Sequence, residues 1–189
     1  MNYMILETHE NVNEYFTVEQ MSPLGRIYMA SDGINLTGLW IENQKYFASS
    51  VLKEAVKKED LPIFEDTKRW LDRYFAGKKP QVSELNLAPA GGKFRQEVWS
   101  ILCSIPYGEI ITYGEIAEKV AVKMNKEKMS AQAVGGAVGH NPISIIIPCH
   151  RVIGKNGNLT GYAGGIDLKI KLLEHEGVDM SSLFVPQYQ

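Results

Sequence analysis

A cysteine and a histidine stand side by side in the motif PCHRV, residues 148–152, which follows a run of mostly apolar residues at positions 143–147. The apolar run predicts a buried strand, and loops at the ends of such strands often carry reactive groups. A free thiol is only a few per cent ionised at neutral pH, so a nucleophilic cysteine needs a nearby base. The pair therefore predicts that Cys149 is a nucleophile beside His150. The alternative is that Cys149 is a small core residue.

The other cysteine, Cys103, has no histidine or acidic pattern around it, and we interpret it as structural. Two cysteines cannot form a disulfide framework or a Cys-based zinc site. No metal site is therefore predicted, and a reduced intracellular compartment is favoured.

Two glycine-rich turns follow the Cys-His pair, at residues 154–158 and 159–165. They favour a loop whose backbone lies close to a ligand, although an ordinary hairpin is the alternative. The spacing of a phosphate-binding Walker loop is absent. A last helix is predicted from about Ile166 to His175 or Glu176, ending at Gly177. A carboxylate at that end opposes the helix dipole by about 0.3–1 kcal/mol, so Glu176 is either functional or a solvated surface residue.

Several helices must position these residues. Apolar side chains from Phe94 to Ile105 fall on one helical face. Thr112 and Glu115 have the spacing of a capping box that opens a second helix. Ser130 can cap a third, Ala131–Gly139, built almost wholly from small residues. This order is typical of a helix-turn-helix variant, and three core helices of an unrelated bundle are the alternative.

The first part of the chain predicts strands followed by helices. Strands are expected at residues 15–21, 26–31 and 34–41, with a turn at residues 22–25. Helices are expected at residues 46–58 and 64–76, where apolar residues recur at helical spacing. The segment 78–92 lacks a period and is rich in Pro and Gly. We therefore predict an α+β protein with a small N-terminal β-sheet and helices in residues 1–85, and a mainly helical domain in residues 86–189.

Composition excludes several classes of protein. The chain has 189 residues, of which 44% are hydrophobic and 22% charged, so disordered and fibrous classes are excluded. No apolar run approaches the roughly 20 residues that span a bilayer, and no signal peptide is visible. The net charge of −2 does not by itself indicate a nucleic-acid partner. Residues 93–189 carry 10 basic and 9 acidic side chains, against 10 and 13 in residues 1–92, so the second half suits an anionic partner better.

The motif PCHRV resembles the active-site signature of the methylated-DNA–protein-cysteine methyltransferases, which repair O6-alkylguanine. The flanking sequences AVGGA (133–137), NP (141–142), YAGG (162–165) and LLEHEG (172–177) are similar to the family in order and approximate spacing. The strong resemblance covers about residues 94–177, and residues 1–80 match only loosely, like the family's variable N-terminal domain. The resemblance implies a ribonuclease-H-like N-terminal domain and a C-terminal alkyltransferase domain with a winged helix-turn-helix-like core.

The resemblance also implies a mechanism. The damaged guanine is flipped out of double-stranded DNA, because its O6 alkyl group is inaccessible within the base stack. Cys149 would take the alkyl group in one displacement, His150 would accept the thiol proton through a water, and Glu176 would orient His150. The thioether product is not a leaving group, so each chain would repair one lesion without a metal or cofactor. O4-methylthymine is a conceivable second substrate.

The resemblance assigns further residues to the substrate and the DNA. Tyr113 would donate a proton or hydrogen bond to the departing guanine, and Asn141 would brace the backbone that carries Cys149. The carbonyls of Cys149 and Val152 would accept hydrogen bonds from the exocyclic amine of the base. The residues assigned to substrate or DNA binding are Tyr113, Gln132, Asn141, Val152, Lys155, Tyr162 and Ala163. Pro148 and Arg151 are expected to be structural residues beside the site.

Helix Ala131–Gly139 would be the recognition helix and would enter the minor groove, which suits its small side chains. The sequence departs from the family at Gln132, where many members have arginine, and at Ala163, where some have serine. We therefore expect weaker and less salt-sensitive DNA binding than with an arginine.

The expected partner is alkylated double-stranded DNA, for a cytoplasmic monomer that needs no membrane and no obligate protein partner. Two alternatives are a non-catalytic sensor of alkylated DNA, whose family members replace the cysteine, and a helix-turn-helix regulator with a redox-sensitive Cys149. A third, a Cys-His hydrolase, lacks any signal for an oxyanion hole.

Overall fold

The computed structural model describes residues 14–46 and 54–186. Its first half is a four-stranded sheet formed by β1 (Phe16–Ser22), β2 (Gly25–Ser31), β3 (Leu36–Ile41) and β4 (Val56–Lys57). The strand order is β3-β2-β1-β4, with antiparallel pairing except between β1 and β4. Helix α1 (Pro62–Phe75) packs its buried aromatic face on β2 and β3.

The predicted turn at residues 22–25 is confirmed. The Ser22 hydroxyl donates to the Gly25 carbonyl at 2.7 Å and accepts from the Leu24 N–H at 3.1 Å. Gly25 has a φ of 101°, a conformation that glycine adopts without strain.

The predicted helix over residues 46–58 is wrong at its end, and residues 47–53 lie outside the described residues. Val56 and Lys57 pair with β1 instead. The Val56 N–H donates to the Tyr15 carbonyl at 2.8 Å, and the Lys58 N–H donates to the Thr17 carbonyl at 3.0 Å. The open edge of β1 thus supplies backbone partners that a local helical pattern does not reveal.

The second half is mainly helical. It contains α2 (Lys93–Cys103), α3 (Tyr113–Lys123), α4 (Ala131–Gly139) and α5 (Ile166–His175), together with two short parallel strands, β5 (Ile111–Thr112) and β6 (Val152–Ile153). Both predicted N-terminal caps are present, because Thr112 and Glu115 form a capping box and Ser130 accepts from the Ala133 N–H. The α+β class and the helical C-terminal half are confirmed.

The predicted strand over residues 143–147 is wrong, although its burial is confirmed. Ile145 has a φ of 69°, and the segment forms turns with a single bridge to β3 between Ile143 and Leu39. The side chain of Asn141 accepts from the Ile143 N–H at 3.0 Å and donates to the Ile147 carbonyl at 2.8 Å. These bonds replace the partners that a sheet would supply.

One hydrophobic core joins the two halves of the described chain. The Ser144 hydroxyl donates to the Gln44 side chain at 3.0 Å, and the same Gln44 oxygen accepts from the Ile41 N–H at 2.9 Å. The segment that leads to Cys149 is therefore fixed against the N-terminal sheet. Within the described ranges, no helix is both long and apolar enough to cross a membrane.

Candidate active site

Cys149 begins a one-turn 3₁₀ helix, Cys149–Arg151, with Pro148 as its N-terminal cap. The residue is 5% exposed. The Asn141 amide donates to Sγ of Cys149 at 3.1 Å. Burial raises the pKa of the Cys149 thiol, and the Asn141 amide and the charge of Lys169 only partly oppose this effect. The resting thiol is therefore neutral and needs a base before it can act as a nucleophile.

His150 is fully buried and can serve as that base. Its Nε2 lies 2.7 Å from Oε1 of Glu176. An ionised carboxylate only accepts, so Nε2 carries the hydrogen of the neutral ring and Nδ1 carries the lone pair. Nδ1 is buried with no hydrogen-bond partner among the described residues. Burial lowers the pKa of His150, against the opposing effect of Glu176, and this keeps the ring neutral and Nδ1 able to accept a proton.

The surroundings of Glu176 explain why a carboxylate lies at the end of α5. The residue is buried, and donors from several elements hold it. Arg151 donates from Nε and Nη2 at 2.8 and 2.9 Å, and the Gly108 N–H donates at 3.0 Å. The Tyr74 hydroxyl of α1 donates to Oε1 at 2.8 Å. Burial alone would raise the pKa of Glu176, but His150 and Arg151 hold it well below its usual range. We call Tyr74, His150, Arg151 and Glu176 the buried cluster.

Lys169 is a second buried charged residue, and the sequence analysis did not identify it. Its Nζ donates to the carbonyls of Val152 and Thr160 at 2.5 and 2.8 Å. Burial lowers the pKa of Lys169 to about 8, although negative charge on Cys149 would raise it. Its spacing could have identified it as a buried residue, because position 169 falls on the same helical face as the buried Leu172 and Leu173.

Tyr113 begins α3 and holds the loop that follows the Cys-His motif. Its hydroxyl lies 3.2 Å from the Thr160 carbonyl and 3.3 Å from the Gly161 carbonyl. Gly161 has a φ of 74°, and a Cβ there would lie 2.5 Å from the Tyr113 hydroxyl oxygen, so this position requires glycine. Burial, followed by charge on Cys149, raises the pKa of Tyr113 to about 12, so the phenol stays protonated and able to donate.

A groove of about 680 Å³ lies between α3 and α4, and we call it the α3–α4 groove. Tyr113, Gln132 and Lys155 line it together, and Gly135 of α4 leaves it open. Gln132 and Lys155 are exposed. The structure thus brings three of the predicted DNA-binding residues to one concave surface. Glu115 and Glu118 also line this groove, so its charge is mixed.

Tyr162 and Ala163 lie apart from that groove and line a second cavity of about 420 Å³. The Ala163 carbonyl accepts from the Lys45 N–H at 2.8 Å, which ties this loop to the first half of the chain. The Tyr162 hydroxyl is buried without a hydrogen-bond partner in the part of the chain that the structure describes. Cys149 lines neither cavity.

Tyr74 is the other functional candidate that the sequence analysis missed. Its helical spacing predicts only a core aromatic residue, and nothing local connects it with Glu176, 102 positions later. Cys103 agrees with its structural interpretation, since burial raises the pKa of its thiol to about 11. Among the described residues no cluster of three or more His, Cys, Asp or Glu side chains could hold a metal ion.

Comparison with known proteins places both halves of the chain in one family. The model of the 6-O-methylguanine DNA methyltransferase ribonuclease-like domain matches residues 11–89, and that of the DNA binding domain matches residues 93–178. The methylated-DNA–protein-cysteine methyltransferase of Haemophilus influenzae is 42% identical over 157 residues, which cover 83% of each chain. That of Mycobacterium leprae is 44% identical over 158 residues, covering 82% of this chain and 88% of the relative.

Solved structures show the same similarity. Mycobacterium tuberculosis OGT in complex with DNA has 41% identity and a TM-score of 0.75, covering 86% of this chain and 93% of that one. An O6-methylguanine DNA methyltransferase from Methanococcus jannaschii has 29% identity and a TM-score of 0.59, covering 91% of this chain and all of that one.

Proposed function

The chain belongs to the 6-O-methylguanine DNA methyltransferase family, and from this premise we propose that it repairs DNA by transferring an alkyl group from O6 of guanine to Sγ of its own Cys149. The observation that carries the assignment to this residue is the geometry around the thiol. Cys149 precedes a neutral histidine whose Nδ1 is buried and unpartnered, and whose Nε2 is bound to an ionised carboxylate. A non-catalytic sensor has no use for this arrangement.

The proton moves first. A water between the two residues carries the Cys149 proton to Nδ1 of His150, while Glu176 stabilises the positive charge that develops on the ring. The Asn141 amide, 3.1 Å from Sγ, stabilises the thiolate. Lys169 adds positive charge nearby while it is protonated.

Alkyl transfer then forms one S–C bond and breaks one C–O bond. The electron pair of the broken bond stays on the guanine, which takes up one proton from solvent while His150 releases one, so the base is restored and His150 returns to its neutral form. The Tyr113 hydroxyl supports this departure by donating a hydrogen bond, because its high pKa keeps it protonated. The thioether on Cys149 does not leave, so one chain accepts one alkyl group.

The DNA side of the proposal uses α4 as the recognition helix in the minor groove. Its alanine and glycine residues allow the DNA backbone to come close. Gln132 fills the space that the flipped base vacates. Lys155 also lines the α3–α4 groove and is exposed, so it can contact a phosphate. The carbonyls of Cys149 and Val152 read the exocyclic amine of guanine, beside Tyr162 and the Ala163 amide. The Val152 carbonyl already accepts from Lys169, so it is held in a fixed orientation.

We further propose that the chain has two domains, residues 1–85 and 86–189. It acts as a monomer in the cytoplasm and needs no diffusible cofactor. The proposed reaction balances without an oxidant or co-reactant, which supports the last point. The cytoplasm is supported by the substrate, which is DNA, and by the need for a reduced thiol at Cys149.

The test is mass spectrometry of the intact protein and of its peptides after reaction with a duplex carrying one O6-methylguanine. We expect one added methyl group on the peptide that contains Cys149, saturating at one per chain. The control is Cys149→Ser, which should bind the duplex and gain no mass. Binding without added mass in the natural protein would favour the sensor alternative. If the natural protein neither gains mass nor binds the duplex, the assignment to DNA repair is overturned.

A further inference from the structure

The buried cluster contains one residue from the first half of the chain. Tyr74 lies on the last turn of α1 and is 1% exposed, and its hydroxyl donates to Oε1 of Glu176 at 2.8 Å. The ring is fixed by neighbours on both sides, because it stacks on Trp70 at 5.5 Å and meets the edge of Phe75 at 5.3 Å. The hydroxyl therefore points at the carboxylate without freedom to turn away.

The end of α5 is attached to α1 by a second bond. Nε2 of His175 lies 2.8 Å from the Tyr74 carbonyl oxygen, so the residue before Glu176 contacts the same tyrosine. The Tyr107 hydroxyl donates to the His175 carbonyl at 3.1 Å from the other side. The position of Glu176 thus depends on α1 as well as on its own helix.

We propose that the first half of the chain takes part in alkyl transfer through Tyr74, a positioning residue whose hydroxyl shares Oε1 of Glu176 with His150 and limits the negative charge that Glu176 offers to the imidazole. This inference rests on the proposed function. It gives the first half of the chain a direct connection to the proton transfer.

The physical effect follows from the shared oxygen. Tyr74 and His150 both donate to Oε1, so the Tyr74 bond withdraws part of the negative charge that Glu176 offers to the imidazole. Burial and the charge of Glu176 raise the pKa of Tyr74, so the phenol remains a donor at every working pH. Without that donor, Glu176 would stabilise protonated His150 more strongly. The ring would then stay protonated at Nδ1, and unable to act as a base, up to a higher pH.

Other titratable groups also face this pair and remain unchanged when only the Tyr74 hydroxyl is removed. Those that face His150, Glu176 or Tyr74 are Cys149, Arg151, Lys169, Tyr107 and His175.

The experiment compares Tyr74→Phe with the natural protein, using the full chain and a duplex carrying one O6-methylguanine. Single-turnover rates are measured from pH 5 to 9, and the His150 ring is titrated by NMR in the DNA-free protein. We expect the acidic limb of the rate profile and the His150 titration both to move up by about one pH unit. The rate would then fall about tenfold on that limb and stay near that of the natural protein above pH 8. Affinity for the duplex should not change, because Tyr74 is buried.

Tyr107→Phe is the matched control. It removes a hydroxyl from the same aromatic group, but that hydroxyl contacts the His175 carbonyl rather than Glu176. Its profile should follow that of the natural protein. An unchanged acidic limb in Tyr74→Phe, or an equal shift in Tyr107→Phe, would overturn the inference.

A second variant keeps the test decisive if Tyr74→Phe does not fold. Replacing Tyr74 by 3-fluorotyrosine makes the phenol a stronger donor with almost the same shape, so the acidic limb should move to lower pH. A shift upward or no shift would contradict the proposal. If the natural protein accepts no methyl group, the proposed function fails, while the NMR titration still decides whether Tyr74 acts on His150.

Discussion

The buried cluster and the α3–α4 groove are two parts of the same molecule built on opposite principles. In the buried cluster, the carboxylate of Glu176 accepts from four residues on three separate segments of the chain. In the α3–α4 groove, α4 presents small side chains, and the lining residues Gln132 and Lys155 are exposed. The first region is fixed by many bonds, and the second is left open.

This difference matches what each region has to do. A buried charge without partners is strongly destabilising, so a carboxylate that must stay ionised beside a histidine needs all of its donors. A surface that must approach a duplex gains from small side chains, and its charged residues are stabilised mainly by water until DNA binds. Substitutions in the buried cluster should therefore affect both folding and chemistry, whereas those of the exposed groove residues Gln132 and Lys155 should affect binding alone.

Glu176→Gln should produce the largest effect, because it breaks the buried cluster at its centre. An amide cannot accept from Arg151 and His150 as an ionised carboxylate does, and the guanidinium would remain buried and poorly paired. We expect a loss of about 3 kcal/mol in the free energy of unfolding and a fall on the order of 100-fold in the rate of methyl transfer. Urea denaturation and single-turnover kinetics measure the two.

Glu174→Gln is the matched control, since Glu174 lies on the same helix but is exposed. The pH dependence adds a second test. The pKa of Glu176 is lowered in the folded state, so its contribution to stability is complete above about pH 4.5, the ordinary value, and is lost as the pH falls below it. The natural protein should show a steeper acid slope than Glu176→Gln, which keeps only the part contributed by other carboxylates with lowered pKa values, such as Asp32 and Glu115. Equal slopes would contradict the ionised carboxylate described above.

Lys169→Met should have a smaller effect, which is a change in how stability depends on pH in the alkaline range. The pKa of Lys169 is about 8 in the folded chain against 10.5 for the ordinary group, so the unfolded chain binds the proton more tightly. Lys169 alone should therefore add stability as the pH rises from about 8 to 10.5, by up to about 3 kcal/mol, while the buried thiols and phenols, whose pKa values are raised, act in the opposite direction. Over this range the stability of the natural protein should rise relative to that of Lys169→Met, and the exposed Lys171→Met should keep this rise. Denaturation curves at several pH values decide the matter, and a rise that persists in Lys169→Met would assign it to another group.

The two regions also differ in how far the sequence predicts them. Local signals suffice for the capping box of Thr112 and Glu115 and for the cap of α4, since both depend on residues three positions apart. The sequence also draws attention to Cys149, His150 and Glu176, and the structure brings His150 and Glu176 into contact. Adjacency marks the first two, and a carboxylate that opposes the helix dipole marks the third.

Contacts between distant segments are what the sequence does not provide. The apolar run at residues 143–147 has the composition of a strand, but the side chain of Asn141 supplies its hydrogen bonds and the segment forms turns. Helical spacing places Tyr74 and Lys169 on buried faces without naming what they meet. Their partners, Glu176 and the carbonyls of Val152 and Thr160, are fixed only when the helices pack.

Gln132→Arg should have the smallest effect on the fold and tests the open side of the comparison. Gln132 is exposed on the first turn of α4, so stability should change by less than about 0.5 kcal/mol. An added positive charge in the groove should tighten binding to a duplex roughly threefold to tenfold and steepen the dependence of log K on log salt by about one. Met21→Arg adds the same charge at an exposed position of β1 and should change neither quantity. Fluorescence anisotropy at several salt concentrations measures both. If Gln132→Arg binds like the natural protein, position 132 does not face DNA, and the recognition surface must then lie elsewhere than on the first turn of α4.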